Sequence, residues 1–389
     1  MMSFHYGALQ ALYWMLFGAI NGFVTVYLLG QGLDESIIGL LIAASNTVAA
    51  LIQPLLAGWI DRTSRFRLKD IGLAMALGIG LLLALSLSVP AVSVVGFLLA
   101  TVLIWALQPI VNSVAIYYLN RGDRLNFGTA RAAGSGFYAL MSFIVGYLII
   151  RHGVSVIPIA GLVMSGLIGL TFSLFVMEHT ADTVDPYKYV EKRVGFWREQ
   201  RFFVLFLIGI ILLFTFHTFA TTYLIQIVER IGGDASTMGT AAAVMAIVEI
   251  PVLIFSNQLI KRFGANKLLI FAAFFWVIKA LGIMLAPTIP LLYLVFLTQA
   301  LCYAPLIPAS VHYTNQVMRP GEKVFGQALV TAAFTIGGVV GSLLGGLIIS
   351  YLGVYPMMLS GVIITLIGWL IITLAIRCQK KREQPDLPR

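Results

Sequence analysis

The chain has 389 residues, of which 60% are hydrophobic and only 11% are charged. Soluble domains carry about 25% charged residues, so this chain lacks the polar surface that a globule in water needs. The composition therefore excludes a soluble globule, a disordered chain, a collagen and a disulfide scaffold. It predicts a protein whose solvent is lipid, which agrees with the mean hydropathy of +0.96.

Apolar segments in chain order predict twelve membrane-spanning helices, each near the length of about 20 apolar residues that a bilayer requires. They cover roughly 6–30, 36–60, 70–89, 92–119, 128–150, 154–177, 202–229, 236–262, 266–286, 289–317, 324–350 and 354–376. Unbroken apolar runs such as 81–85 and 366–372 exclude barrel strands, which alternate apolar and polar residues. We therefore predict an all-α integral membrane protein.

The charge distribution predicts the orientation of these spans. Lys and Arg total 25 against 16 Asp and Glu, a net charge of +9. Nearly all basic residues lie in the loops that follow even-numbered spans or in the C-terminal tail, whereas the other side carries only Arg151 and Arg230. By the positive-inside rule, both termini are cytoplasmic, and the excess charge indicates orientation rather than nucleic-acid binding.

The longest hydrophilic stretch separates six predicted spans from six. We predict an N-terminal bundle at 1–177, a cytoplasmic linker at 178–201, a C-terminal bundle at 202–376 and a cytoplasmic tail at 377–389. The two halves match at a shift of about 200 residues in three places. The matched features are Gly39 and Arg62 with Gly239 and Arg262, Phe127-Gly128 with Phe325-Gly326, and Pro109 with Pro308. Such repeats predict two pseudo-symmetric bundles with a substrate site where they meet, near the bilayer midplane.

The turn after the second span, Gly58-Trp-Ile-Asp61-Arg62-Thr-Ser-Arg65-Phe-Arg67, resembles the signature loop of the major facilitator superfamily. The resemblance implies the major facilitator fold and secondary transport. It also implies a conformational-switch loop formed by Gly58, Asp61, Arg62 and Arg65. The glycine allows close approach of helices, and Asp61 can pair with basic residues or with a helix N-terminus.

The fifth span contains Asn126-Phe127-Gly128-Thr-Ala-Arg131-Ala-Ala-Gly134-Ser135-Gly136-Phe-Tyr138. This segment resembles the motif of lactose permease and other oligosaccharide–proton symporters, and phenylpropionate-type permeases share the layout. The resemblance implies that Arg131 binds a sugar hydroxyl and that Tyr138 stacks on the ring. The alternatives are a snorkelling arginine and a packed tyrosine. The tenth span lacks the family's His and Glu pair, and Asn112 or Ser113 replaces an acid of the fourth span.

Two charged residues within the spans are candidates for proton coupling. Glu249 is the only acid well inside a predicted span, and Lys279 lies within the ninth; the resemblance places a glutamate and a basic residue at about these positions. Ionisable groups inside a membrane are costly and usually functional. The alternative is a purely structural ion pair between them.

Polar side chains on the predicted cavity helices suit a neutral, polyhydroxylated ligand, although they also suit hydrogen bonding between helices. The candidate ligand residues among them are Trp105, Gln108, Asn112, His217 and Gln299. The glycines between 337 and 346 are interpreted as close helix packing.

The sequence contains no P-loop, HExxH, GxSxG or Cys/His cluster, so we predict neither an enzyme nor a cofactor or metal site. We predict a monomeric secondary transporter of the plasma (inner) membrane. It would import a small, sugar-like polar solute with a proton by alternating access, with solute, proton and bilayer as its partners. The alternatives are a proton-exchange exporter of drugs or metabolites and a non-transporting membrane sensor on a transporter scaffold.

Overall fold

A computed structural model describes residues 2–62, 67–121, 127–177, 196–319 and 322–383, in which the chain forms helices and no strand. The helices up to residue 222 are α1 Met2–Ile20, α2 Val24–Gly30, α3 Glu35–Arg62, α4 Leu68–Ser88, α5 Ser93–Asn120, α6 Phe127–His152, α7 Val156–Leu174, α8 Phe196–Glu199 and α9 Arg201–Thr222. The remaining helices are α10 Leu224–Glu229, α11 Ala235–Ile254, α12 Ser256–Phe263, α13 Ala265–Leu285, α14 Ile289–Phe296, α15 Tyr303–Val317, α16 Lys323–Leu352 and α17 Val354–Glu383. Short 3₁₀ turns occupy Pro90–Val92 and Leu297–Ala300.

Twelve helical stretches in the described ranges are long and apolar enough to cross a membrane, which confirms the predicted spans. Their outer faces carry large apolar side chains, such as Leu55 at 72% exposure and Leu174 at 65%. Leucines this exposed suit a surface bathed in lipid. Pro109 lies inside α5 and Pro308 inside α15, where membrane helices tolerate proline because neighbouring groups satisfy the freed backbone.

By contact, the chain divides into two compact units. The first unit contains the described residues up to 177 together with Leu224–Ile250, and the second contains those from 196 to Tyr223 together with Pro251 onward. This grouping differs from the predicted halves at Leu224–Ile250, which packs with the N-terminal helices.

In the first unit, α1 packs against α6, and α4 packs against α5 and α7. In the second unit, α9 packs against both α16 and α17. A Cβ on Gly337 would lie 2.7 Å from the Ile211 carbonyl oxygen, and one on Gly341 would lie 2.6 Å from that of Thr215. Gly337 and Gly341 thus lie directly on the α9 backbone, which confirms the interpretation as close packing at these two positions.

Local structure repeats at the predicted shift of 200 residues. Gly32 and Gly232 both have positive φ, at +79° and +82°. Asp34 accepts a hydrogen bond from the Ser36 backbone at 3.2 Å, just as Asp234 accepts one from Thr237 at 2.9 Å. Each aspartate therefore caps the N-terminus of the helix that follows its glycine.

The other ends of the halves repeat as well. Gly153 and Gly353 have φ values of +77° and +93°, and each separates two long helices. The first span breaks between Ile20 and Val24, and the seventh breaks at Tyr223. These matches involve residues other than those from which the repeat was predicted, and they add support for an internal duplication.

Candidate functional site

The first candidate site, called the tyrosine site, consists of Tyr138 on α6 and Glu249 on α11. Tyr138 packs against a cluster formed by Ala139 of its own helix and by Ala243 and Ala246 of α11. Such small residues let helices approach closely. Glu249 lies three residues after Ala246, and so on the same face of α11. It is half-buried and lies within electrostatic range of Tyr138.

Backbone contact between α6 and α11 continues beyond the alanine cluster. A Cβ on Gly239 would lie 2.3 Å from the carbonyl oxygen of Ser142 and 3.1 Å from Cα of Gly146. Only glycine fits at this crossing. The two helices that carry Tyr138 and Glu249 are therefore held at a fixed separation within the first unit.

A hydrogen-bond network centred on Gln10 lies beside this site. Gln10 is 1% exposed, and its Nε2 donates to the Tyr6 hydroxyl at 2.6 Å and to Asn112 Oδ1 at 3.2 Å. Trp14 Nε1 donates to Gln10 Oε1 at 3.1 Å. Asn112, a predicted ligand residue, thus connects α5 to α1 in this structure. Sequence reasoning missed Gln10, although its spacing of four residues from both Tyr6 and Trp14 was a readable signal.

Phe17 brings two predicted ligand residues together. Its ring centre lies 4.8 Å from Trp105 in an edge-to-face arrangement and 6.5 Å from Tyr138. Gln53 Nε2 donates to the Trp105 carbonyl oxygen at 2.9 Å, which ties α3 to α5. Gln108 is half-buried on α5, one helical turn before Asn112.

The remaining predicted residues of the first unit cannot be placed as side chains. Arg131 lies in α6, and Gly58, Asp61 and Arg62 lie at the end of α3, but their side chains fall outside the part of the chain that the structure describes. Arg65 falls outside it entirely.

The second candidate site, called the lysine site, consists of Lys279 on α13 and Gln299 in the 3₁₀ turn Leu297–Ala300. Lys279 is 2% exposed, and its Nζ donates a hydrogen bond to Gln299 Oε1. The Nζ also lies 5.7 Å from the centre of the Phe296 ring. A buried ammonium is costly without such partners, so Gln299, a predicted ligand residue, holds a cation here.

An aromatic cluster adjoins the lysine site. The His217 ring stacks on Tyr303 at 4.8 Å and 17°, and lies 5.6 Å from Trp276. His217 is within electrostatic range of Lys279. Among the described residues, neither His217 Nδ1 nor Trp276 Nε1 has a hydrogen-bond partner, although both atoms are buried. Buried polar atoms nearly always have one, so the cluster offers an acceptor or donor at each atom to a bound solute or water.

The two charged candidates belong to different units, Glu249 to the first and Lys279 to the second. Their predicted pairing stays a prediction. Sequence reasoning missed Trp276 and Tyr303, because aromatic residues in apolar spans are ordinarily part of the packing. Within the described ranges, no group of three His, Cys, Asp or Glu residues is arranged to hold a metal ion.

Comparison with known proteins gives a consistent picture. The chain is 25% identical to the maltose permease of Geobacillus stearothermophilus over 383 residues, covering 95% of this chain and 93% of that protein. The fold resembles that of the nucleoside transporter NupG, with a TM-score of 0.80 at 14% identity, covering 98% of this chain and 99% of that one. It also resembles the POT family transporter PepTSo, with a TM-score of 0.73 at 14% identity and 98% coverage of both chains.

Identities this low show a shared fold and no more for the two solved structures. The MFS_1 like family, in contrast, matches residues 6–371, almost the entire length. That match agrees with the twelve spans and with the resemblance carried by the loop after the second span. The chain belongs to the MFS_1 like family of major facilitator transporters.

Proposed function

We propose that this multi-pass membrane transporter imports a small, sugar-like polar solute together with a proton. Membership of the family makes the chain a secondary transporter and not an enzyme. The solute class and the coupling ion are the proposal. Its main support is Glu249, a half-buried carboxyl group in the interior of an apolar span.

The environment of Glu249 suits a group that gains and loses a proton. A carboxylate within a membrane span is costly while ionised, and protonation removes that cost. Glu249 also lies on the α11 face that packs against α6 and Tyr138. Protonation there changes the charge beside the residue that the family resemblance assigns to sugar stacking. This arrangement couples a proton to a solute through one helix contact.

The surrounding groups suit a ligand with several hydroxyls. Tyr138, Trp105 and Gln108 are half-buried in the first unit, and they supply two aromatic faces and one amide. Sugars are bound by this combination because their C–H faces pack on rings while amides bond the hydroxyls. The likeness to a maltose permease over nearly the whole chain favours the same class. Arg131 completes the proposed sugar contacts.

The test is uptake of radiolabelled maltose and glucose into proteoliposomes, with and without an inward-directed proton gradient. Glu249→Gln is expected to abolish accumulation above equilibrium while exchange of solute across the membrane continues. Glu229→Gln, an acid-to-amide change at the last residue of α10, is the matched control and is expected to accumulate normally. Normal accumulation by Glu249→Gln would contradict the role of the carboxyl group.

A second solute class, nucleosides, is favoured by the aromatic cluster of the second unit. Within the described chain, His217 Nδ1 and Trp276 Nε1 have no hydrogen-bond partner beside stacked rings, and a nucleobase offers both a flat face and hydrogen-bonding edges. The fold similarity to a nucleoside transporter fits this class. Binding is measured as thermal stabilisation by uridine or by maltose, since a ligand that binds the folded state raises its stability. If uridine stabilises the protein and maltose does not, and if His217→Phe abolishes this stabilisation, a nucleoside replaces a sugar as the proposed solute.

The remaining proposals concern membrane orientation, location, oligomeric state and the conformational change of transport. We place both termini in the cytoplasm and the chain in the plasma membrane as a monomer. The bundles 1–177 and 202–376 would rock against each other about a site at their meeting point, with the linker 178–201 and the tail 377–389 cytoplasmic. The switch loop of Gly58, Asp61, Arg62 and Arg65 would stabilise one of the alternating conformations.

A further inference from the structure

A cavity of about 420 Å³ opens in the second unit at one end of three spans. It is lined by residues at the start of α13, at the end of α15 and near the end of α17. The apolar stretches of these helices begin at Ala265 and end at Val317 and Lys381. The cavity therefore lies where hydrocarbon gives way to the polar headgroup layer.

Three cations converge on this cavity, and we call it the basic cavity. Lys267, Arg377 and Lys380 line it, and no acid among the described residues does. All three are exposed, and within the described ranges none of them forms an ion pair. The positive-inside rule accounts for basic residues on this side. This rule does not explain why three cations from two helices surround one opening. Because the three cations repel one another, a bound anion is favoured there.

The backbone of α13 adds to the attraction for an anion. Its N-cap is Gly264, with φ at +79°, and Ala265, Asn266 and Lys267 of its first turn line the cavity. The first N–H groups of a helix have no partner within it and carry partial positive charge.

The cavity also has features that a bare inorganic anion does not use. Asn266 Oδ1 is buried and has no hydrogen-bond partner in the described chain, so it needs a donor, such as a hydroxyl group. Phe263, 48% exposed, and Ile376 give the cavity an apolar wall. Phosphate, hydroxyl and hydrocarbon occur together in a phosphoglycerol lipid.

We propose that the basic cavity binds the headgroup of an anionic phospholipid. The phosphate lies among Lys267, Arg377 and Lys380, a headgroup hydroxyl donates to Asn266, and the acyl chains run along the apolar wall. Basic pockets between spans on the cytoplasmic side bind such headgroups in other membrane proteins. The phosphate chemistry is shared with soluble phosphate esters, and the acyl chains are the feature that separates the two sources.

The test compares two double variants of equal charge by native mass spectrometry of protein released from nanodiscs. Lys267→Gln/Lys380→Gln removes two cavity cations. Lys261→Gln/Lys381→Gln removes two exposed lysines at the same end of the spans that do not line the cavity. Nanodiscs contain equal phosphatidylglycerol and phosphatidylcholine. We expect one retained phosphatidylglycerol on the parent and on the control, and retention lowered roughly thirtyfold in the cavity variant.

Equal loss in both variants, or equal retention of the two lipids, would overturn the proposal. A second arm adds excess glycerol 3-phosphate to the parent. Unchanged retention of phosphatidylglycerol supports the lipid assignment. Displacement of the lipid by glycerol 3-phosphate, together with a thermal stabilisation by glycerol 3-phosphate alone that equals the stabilisation by the lipid, would identify a soluble phosphate ester as the ligand. That result would overturn the proposal.

Discussion

The contact between α16 and α9 allows a substitution whose energetic cost can be worked out from the structure. In Gly341→Ala, the new Cβ would lie 2.6 Å from the Thr215 carbonyl oxygen and 2.6 Å from Thr218 Cβ. Carbon atoms pack at about 3.5 to 4.0 Å, so the two helices must separate by about 1 Å. The atoms in the way belong to the helix backbone or to Cβ, and neither can rotate aside.

Gly338→Ala, one turn earlier on α16, is the matched control because its Cβ meets only Thr218 Oγ1, at 3.9 Å. Both substitutions gain about 1 kcal/mol of helix propensity. Overpacking at Gly341 costs about 1–3 kcal/mol. Because the propensity term is common to both, the difference in unfolding free energy between the variants measures the contact alone. We expect Gly341→Ala to be the less stable by about 1–3 kcal/mol.

The assay is unfolding of the purified protein in mixed micelles of increasing dodecyl sulfate fraction, followed by tryptophan fluorescence. Uptake by surviving folded protein shows whether separation of the helices also affects transport. Equal midpoints for the two alanine variants, or a more stable Gly341→Ala, would refute the reasoning that α16 lies on the α9 backbone.

Two further predictions concern charge. Gln299→Leu removes the acceptor of the buried Lys279 ammonium and should cost about 2 kcal/mol of unfolding free energy, whereas Gln299→Glu should be tolerated; a Leu variant as stable as the parent would contradict this. Burial, and secondarily the Glu35 carboxylate, raise the pKa of Glu229, so ionisation of Glu229 disfavours the folded state and its cost disappears as pH falls. Glu229→Gln should therefore melt above the parent at pH 8, with a difference that shrinks on acidification, and a growing difference would be inconsistent with the raised pKa.

The spans were predictable because a bilayer imposes a length and an apolar composition on every crossing helix. The Gly337–Gly346 interval was interpretable for a related reason, since glycine in an apolar span has few uses other than close packing. The repeat was only partly found. The pattern Gly32-x-Asp34 recurs as Gly232-x-Asp234, and this recurrence of a turn glycine and a capping aspartate is a further sequence signal of the repeat.

The partners of the polar side chains were not predictable, because they depend on contacts between distant parts of the chain. Gln299 was predicted to bind a solute, and in the structure it accepts a hydrogen bond from Lys279. The break at Leu297–Ala300 that turns Gln299 inward has no proline or glycine within it, so no local signal marks it. Asn112 likewise pairs with Gln10, 102 residues away.

The features that repeat between the two halves differ from the residues that are candidates for function. The features that recur at a shift of 200 residues are backbone turns and helix caps, as at Gly32 and Gly232. The ionisable candidates within the spans do not recur. The residues 200 positions before His217, Glu249 and Lys279 are Phe17, Ala49 and Ile79.

Duplication therefore preserved what folds each half, and divergence produced the residues to which function is assigned. Glu249 and Lys279 both belong to the second of the two halves, whereas the network around Gln10 belongs to the first. A structural ion pair required by the fold would be expected in both halves, since both have the same helices to hold together. Because the first half has Ala49 and Ile79 at the matching positions, packing shared by both halves does not explain Glu249 and Lys279, which agrees with their proposed role in coupling.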